Sequence, residues 1–295
     1  MAFQQHKRDV LSKLQKDIPE AIVLNALSRL AYGPEIAAKD EFTGTYLPLA
    51  SLIHQRLGAA RAAGAPLLIG LAGGVAVGKS TVAQILQQAL ASWPEHSQIA
   101  LVNSDGFLFP NAELERRGLM DRKGFPESFD WNGMVNFLMR LKQGETGVVA
   151  PIYSHVTYDV LPDQGQVIQN PGIVILEGVN ALQPPIMDAT SNRPFPSDIF
   201  NYKIYVHAQE ALIRQWFAAR FLALIEASAN DPQSFYSRFA PLTLEQRQAV
   251  VDFVWTTING KNLVDHILPS QANADLVIHK GEGHRITHFE TRHSV

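Results

Sequence analysis

Eight consecutive residues, Gly73-Gly74-Val75-Ala76-Val77-Gly78-Lys79-Ser80, fit the pattern G-x-x-x-x-G-K-[ST] without a gap. The spacing has a physical meaning. Glycines let a backbone turn tightly and approach an anion with no Cβ in the way. The N–H groups of such a turn converge on a phosphate, and a helix beginning at the turn adds unpaired donors and a positive dipole end. Lys79 is then placed to reach the outer phosphates of a nucleoside triphosphate. Ser80 offers a hydroxyl to a divalent cation, and Thr81 continues into the helix. Taken as a mere glycine-rich turn, the segment would leave the Lys-Ser pair unexplained.

Two acids extend this chemistry. Asp105, in Asn103-Ser104-Asp105-Gly106-Phe107, follows an apolar run. A carboxylate at the carboxyl end of a parallel strand points into the ligand crevice. There it can accept the proton of an attacking hydroxyl. Glu177 ends another apolar run, Ile173-Val174-Ile175-Leu176, and can orient Mg²⁺ through water. Alone, Asp105-Gly106 reads as a turn and Glu177 as a helix cap. Beside a phosphate loop both take on a chemical role. No N-K-x-D base-reading segment is found: Asn259-Gly260-Lys261-Asn262 lacks the acid.

The elements that must hold these residues alternate. Leu67–Ala72 is a continuous apolar run, as expected of a strand buried on both faces of a parallel sheet. Val82, Ile85, Leu86, Ala89, Leu90 and Trp93 then mark one face of a helix. Further strands are predicted at Ile99–Val102, Ile173–Leu176, Tyr202–Val206 and Leu276–Ile278. Helices are predicted at Glu210–Glu226 and Thr243–Ile258, the second opening with a Thr243/Gln246 capping box. Residues up to Ala63 read as helical, with Val10, Leu11 and Leu14 on one face and Leu49, Leu52, Ile53 and Leu57 on another; these faces are expected to pack on the main domain. The stretch Asp105 to Trp131 reads as a functional excursion. Val156–Val160 and Gln166–Ile168, flanking Pro162-Asp163-Gln164-Gly165, predict a β-hairpin. Pro194-Phe195-Pro196 reads as a loop. The expected fold class is therefore α/β: a P-loop NTPase-type, doubly wound, mainly parallel sheet flanked by helices, with a helical N-terminal decoration and a hairpin excursion. One domain, 1–295, is expected, made of an N-terminal helical extension (1–63) and a nucleotide- and substrate-binding core (66–285).

Composition removes other classes. The 295-residue chain holds no cysteine, which excludes disulfides, thiolate metal sites and cysteine nucleophiles. With 46% hydrophobic and 18% charged residues it is neither disordered nor fibrous. A formal charge of -3 and the lack of a basic stripe argue against nucleic acid as partner. No run suits a signal peptide or a membrane span, so a cytoplasmic location is expected.

Gly74 to Thr81, Asp105-Gly106-Phe107, Lys123-Gly124-Phe125-Pro126-Glu127-Ser128 and Tyr153-Ser154-His155 together resemble bacterial type I pantothenate kinase. Tyr46 to Leu49, Trp93 to His96, Arg117 to Met120 and Ile267 to Pro269 extend the likeness, which runs from Tyr46 to Lys280. It implies transfer of the γ-phosphate of ATP to the terminal hydroxyl of pantothenate, the committed step toward coenzyme A. It implies Lys79, Asp105 and Arg220 as catalytic residues, with Gly73 to Thr81, Lys280 and His284 around the nucleotide. It also implies Tyr153, His155, Tyr158, Phe217, Arg220 and Asn259, with Asp105, around pantothenate, and Ser80 and Glu177 at Mg²⁺. A homodimer and feedback inhibition by coenzyme A belong to the same implication. Some residues depart from the family pattern: Phe217 replaces a tyrosine, Leu224 an aromatic residue, Gln84 a phosphate-binding arginine, and His266 and Pro34 asparagines. These leave the phosphate loop and Asp105 untouched. They bear on coenzyme A inhibition and on fine specificity.

Two other readings compete. One is a related kinase for a nucleoside, ribulose phosphate or glycerate. The other is a nucleotide binder without catalysis, which would have no need of Asp105.

Overall fold

The computed structural model describes residues 3–32, 38–58, 65–96, 98–184 and 194–292. Five strands form a parallel core: β2 (Leu67–Gly73), β3 (Ile99–Asn103), β6 (Ile173–Glu177), β7 (Tyr202–Ala208) and β8 (Leu276–Lys280), with β1, β4, β5 and β9 described below. Each coincides with an apolar run in the sequence. Strand β2 is buried along its whole length, as a strand covered on both faces must be. In space the parallel order is β8-β7-β2-β6-β3, so the chain winds outward in both directions from β2. Helix Lys79–Leu90 packs on β2, β3 and β6, burying Val82, Ile85, Leu86, Ala89 and Leu90. Helix Trp131–Lys142 also packs on β2, and helix Leu47–Gly58 packs on Lys79–Leu90 and on β7. The faces read from the N-terminal sequence are inside: Leu11, Leu49, Leu52, Ile53 and Leu57 are all buried. Helix Glu210–Ala227 follows β7, and helix Leu244–Val254 starts at the expected capping box. There Gln246 N–H donates to Thr243 Oγ1 at 3.2 Å, and Thr243 N–H to Gln246 Oε1 at 2.9 Å.

The sheet is wider than expected. Strand β1 (Gln4–Lys7) pairs antiparallel with β9 (Ile286–Thr291), which pairs antiparallel with β8. Both lie outside the residues 66–285 expected to form the core, and β1 lies in a region read as helical. The reason is chemical. Gln4-Gln5-His6-Lys7 has no apolar alternation, and its pairing is supplied by β9 rather than by burial of its own side chains.

The hairpin exists, but its reversal is elsewhere. Strand β4 (Val148–Ser154) pairs antiparallel with β5 (Asp159–Ile168), and the chain turns at His155–Tyr158. Pro162-Asp163-Gln164-Gly165 lies inside β5. Pro151 opposes Gly165 whereas Ile152 opposes Leu161, so residues 162–164 are looped out as a bulge. Their turn-forming character is real, and it bends one strand instead of joining two. Pro196 likewise does not stay in a loop: it begins a short helix, Pro196–Ile199. The end of the N-terminal region at Ala63, and Pro34, fall outside the described residues.

Gly106 fixes how the excursion meets the sheet. A Cβ there would come within 2.1 Å of the Pro151 carbonyl oxygen on β4. Backbone cannot yield as a flexible side chain can. Gly106→Ala is expected to lower the unfolding free energy by about 1–3 kcal/mol, read by denaturant melts, because it overpacks a backbone contact.

Candidate active site

The carboxyl ends of the five parallel strands supply the site. After β2 the chain turns through Gly74–Gly78, with Ala76 at φ 59° and Gly78 at φ 88° as N-cap of helix Lys79–Leu90. Left-handed backbone at Gly78 costs nothing to glycine and suits no other residue well. Gly73 lies against β7, where a Cβ would fall 2.4 Å from Val206 O. Gly74 packs its α-carbon towards Ile213 and Leu263, and Val75 and Val77 form the loop's half-buried and buried apolar positions. Lys79 Nζ folds back and donates to Gly74 O at 3.0 Å, crossing its own loop. Burial pushes its ammonium below the usual lysine range, while Glu177 and Asp105 pull it back up and Arg220 adds to the push. An anion in the loop would act in the same sense as those two carboxylates.

Ser80 Oγ donates to Glu177 Oε1 at 2.6 Å, so the end of β6 meets the start of the helix that follows β2. Burial raises the Glu177 pKa, and Lys79 and the Ser80 bond oppose that rise. A hydroxyl and a carboxylate oxygen side by side, in a place where negative charge is under-compensated, suit a hard divalent cation. Glu177 caps no helix among the described residues. Thr81 is exposed at the first turn of its helix.

Asp105 sits in a short 3₁₀ turn, Ser104–Phe107, beyond β3, with its N–H donated to Asn103 Oδ1 at 2.8 Å. Its carboxylate is the common electrostatic neighbour of Lys79, Lys123, His155, Glu177, Tyr153 and Tyr158. Arg220, exposed on helix Glu210–Ala227, is the common neighbour of Lys79, His155, Glu177 and Tyr236. Asp105 and Arg220 thus share Lys79, His155 and Glu177 between them. Burial holds the His155 imidazole below its usual range, against the pull of Asp105, so the ring is neutral near pH 7. Tyr153 meets His155 at 5.2 Å and Tyr158 at 6.1 Å, and burial raises both phenols, Tyr158 to about 12.

Lys280 ends β8 and lies beside the phosphate loop: a Cβ on Gly78 would sit 2.7 Å from its Nζ and 3.7 Å from His284 Nδ1. Burial brings Lys280 down to about 8, with Glu41 opposing. His284 stacks on Trp216 at 3.8 Å and hydrogen-bonds with the Val77 backbone. Asn259 is half-buried at the end of the irregular helix Trp255–Asn259, on the wall whose Trp255 ring meets Phe217 at 5.8 Å. Nothing described ties its side chain to Asp105.

Sequence reasoning gave Lys123 no role. It is buried and donates to Asn111 Oδ1 at 2.6 Å and to Tyr158 O at 2.5 Å, with Nζ 4.2 Å from the Tyr158 ring centre. Its place in Lys-Gly-Phe-Pro-Glu-Ser was the available signal. An arc of rings was also missed. Tyr158 stacks on Phe235 at 4.2 Å, followed by Tyr236, Phe221, Phe217 and Trp255 with successive spacings of 5.3, 5.4, 5.7 and 5.8 Å. Phe235-Tyr236 in an otherwise polar stretch was the hint. Phe217 is buried in that arc, so its ring is wall rather than a polar handle.

Burial lowers Lys123 from the ordinary 10.5 to about 8. The folded state then sheds this proton before the unfolded chain does, and stability rises with pH between about 8 and 10.5. Set against Lys123→Met, the parent is expected to gain relative stability across that window, read by denaturant melts at stepped pH.

A protein named Pantothenate kinase from Brevibacillus brevis is 42% identical over 301 residues, spanning 97% of this chain and 94% of its own. The chain belongs to the pantothenate kinase family. A pantothenate kinase from a Nocardioides species is 47% identical over 228 residues, or 77% of this chain and 69% of that one. The broader family described as Phosphoribulokinase / Uridine kinase matches residues 68–216, from β2 to Trp216. The solved structure of the YGR205w protein covers 88% of this chain at 18% identity with a TM-score of 0.59, which supports the fold alone. In this pantothenate kinase family member the departures are placed as follows. Gln84 is exposed on helix Lys79–Leu90, Leu224 is half-buried on the Arg220 helix, and the His266 ring meets Phe125 edge-on at 5.8 Å.

Proposed function

We propose that this chain transfers the γ-phosphoryl group of ATP to the terminal hydroxyl of pantothenate, giving 4'-phosphopantothenate and ADP. The observation that carries the reading is the convergence of Lys79, Asp105, His155 and Arg220 at the carboxyl ends of the parallel strands. The loop N–H groups of Gly73 to Thr81 hold the phosphates, and Lys79 leaves Gly74 O to bind the outer ones. Lys280 and His284 close the nucleotide side of the loop. Asp105 takes the proton of the acceptor hydroxyl as its oxygen forms a bond to the γ-phosphorus and the bond to the β-phosphate oxygen breaks. Arg220 neutralises charge spreading over the transferred oxygens. Ser80 and Glu177 would hold Mg²⁺, which when bound offsets charge on the phosphates. Tyr153, His155, Tyr158, Phe217 and Asn259 line the pantothenate side, with Lys123 bracing the Tyr158 end of the hairpin. Residues 1–295 act as one kinase domain in this reading, and work as a cytoplasmic homodimer.

A coupled ADP-release assay tests it, with pantothenate, a nucleoside, ribulose phosphate and glycerate as acceptors. Pantothenate alone is expected to raise ADP release above background. Preference for another alcohol would make this a related kinase, and no response to any acceptor would make it a nucleotide binder.

Gln84 and Leu224 set a further expectation. A neutral amide cannot make the charge-assisted contact that an arginine makes with a coenzyme A phosphate. Coenzyme A is expected to inhibit this chain less than a typical family member, compared by inhibition curves at equal ATP. Potent inhibition at low micromolar coenzyme A, competitive with ATP, would contradict this.

A further inference from the structure

Away from the phosphate loop, three histidines form a row across adjacent strands. His207 on β7 pairs in register with His279 on β8, and His279 with His288 on β9. Residues in register on neighbouring strands project to the same face of the sheet. The ring centres are 4.8 Å apart for His207 and His279, and 4.0 Å for His279 and His288. Glu290, two residues beyond His288, shares that face and brings Oε1 to 3.4 Å from His279 Nε2. One ligand atom from each of His279, His288 and Glu290 lies within 4.8 Å of the others. Among the described residues no other group of three metal-capable side chains comes as close.

Packing alone does not account for the row. His279 Nε2 and His207 Nδ1 are buried and make no hydrogen bond, although buried polar atoms are nearly always paired. The His207 ring is hydrogen-bonded with the Gln271 side chain.

Two imidazoles and one carboxylate make a donor set suited to zinc with a position left open, and poorly suited to magnesium or calcium, which take oxygen donors. We infer that His279, His288 and Glu290 bind a divalent transition-metal ion of the zinc type. The His288 ring, half-exposed and stacked at 11° on His279, must turn out of that stack to share the ion. The bound ion would pin β9 to β8 and so steady the connection Gly281–Arg285, which carries His284 to the phosphate loop. The donors are different residues from the Ser80 and Glu177 oxygens.

The untagged full chain, stripped with chelator, is titrated with Zn²⁺ by calorimetry in the presence of Mg²⁺ and without nucleotide. One equivalent is expected to bind, and Co²⁺ in its place is expected to give visible absorption bands. His288→Gln and Glu290→Gln, both at partly exposed strand positions, are each expected to weaken Zn²⁺ binding at least about tenfold with unchanged far-UV circular dichroism. Glu177→Gln is expected to leave it unaltered. Absence of Zn²⁺ uptake by the parent, uptake indifferent to His288→Gln and Glu290→Gln, or uptake abolished by Glu177→Gln would overturn the assignment.

Discussion

Asp105→Asn is expected to lower kcat for pantothenate phosphorylation by about 10²–10⁴-fold, the range spanned by a positioned general base, while ATP affinity is expected to stay within a few-fold of the parent. The asymmetry follows from position. Asp105 belongs to the turn after β3, where its N–H donates to Asn103 Oδ1, whereas the loop's backbone donors belong to the turn after β2. Asparagine keeps the size of the side chain and one acceptor oxygen, puts an NH2 donor in place of the other, and cannot take a proton. The variant also removes negative charge shared by Lys79 and Lys123, so Lys123, already at about 8, falls further and sharpens any alkaline loss of rate. Steady-state kinetics against both substrates, with nucleotide binding measured separately, check this. A normal kcat in Asp105→Asn would remove the base from the account and return the binder reading to contention.

Lys79→Ala acts on the other substrate. It deletes the ammonium that crosses the loop to Gly74 O and that faces Glu177 and Asp105. Turnover is expected to fall at least about 10²–10³-fold, because the lost charge is one that stabilises the transferred phosphoryl group in an enclosed site. The fold is expected to remain intact, since the lysine lies on the first turn of its helix and the core face of that helix is Val82, Ile85, Leu86 and Ala89. In fact the variant relieves the burial of a cation and leaves Glu177 less compensated, so Glu177 holds its proton to higher pH. Enzyme assays at saturating ATP, paired with thermal melts, separate loss of chemistry from loss of structure.

The parts of this site that were legible in the sequence are those where the backbone itself does the work. A phosphate loop needs glycines at fixed offsets and a strand and helix on either side, and all of that is written locally. The parallel strands were legible as apolar runs: β2 and β6 are buried along their whole length, as burial on both faces demands, and β3, half-buried at the sheet edge, still reads Ile-Ala-Leu-Val. Strand β1 was not, since an edge strand pairs through its backbone and can carry Gln, His and Lys, and β9, paired on both sides, offers only Ile286 and Phe289 as apolar residues. The hairpin was read from its strongest turn residues, yet Pro162 to Gly165 answer to a bulge and the reversal uses His155 to Tyr158. Glu177 and Asp105 were legible as strand ends, because a parallel sheet directs its carboxyl ends to one side. Arg220, Phe217 and Asn259 came only from resemblance to a family, as their helices say nothing local about what they face. Lys123 and the ring arc from Tyr158 to Trp255 depend on contacts between distant segments, and no periodicity reports those.

In the proposed reaction a triphosphate held by the loop presents its outer phosphorus to an alcohol whose proton Asp105 receives. A crystal structure with a non-hydrolysable ATP analogue and pantothenate bound would show whether the ligands take this arrangement. The expected result places the pantothenate hydroxyl within hydrogen-bond reach of an Asp105 carboxylate oxygen and roughly 3–3.5 Å from the γ-phosphorus, in line with the bond to be broken. A ternary complex in which pantothenate occupies another crevice, or in which Asp105 turns away from both ligands while Lys79 still grips the phosphates, would contradict it.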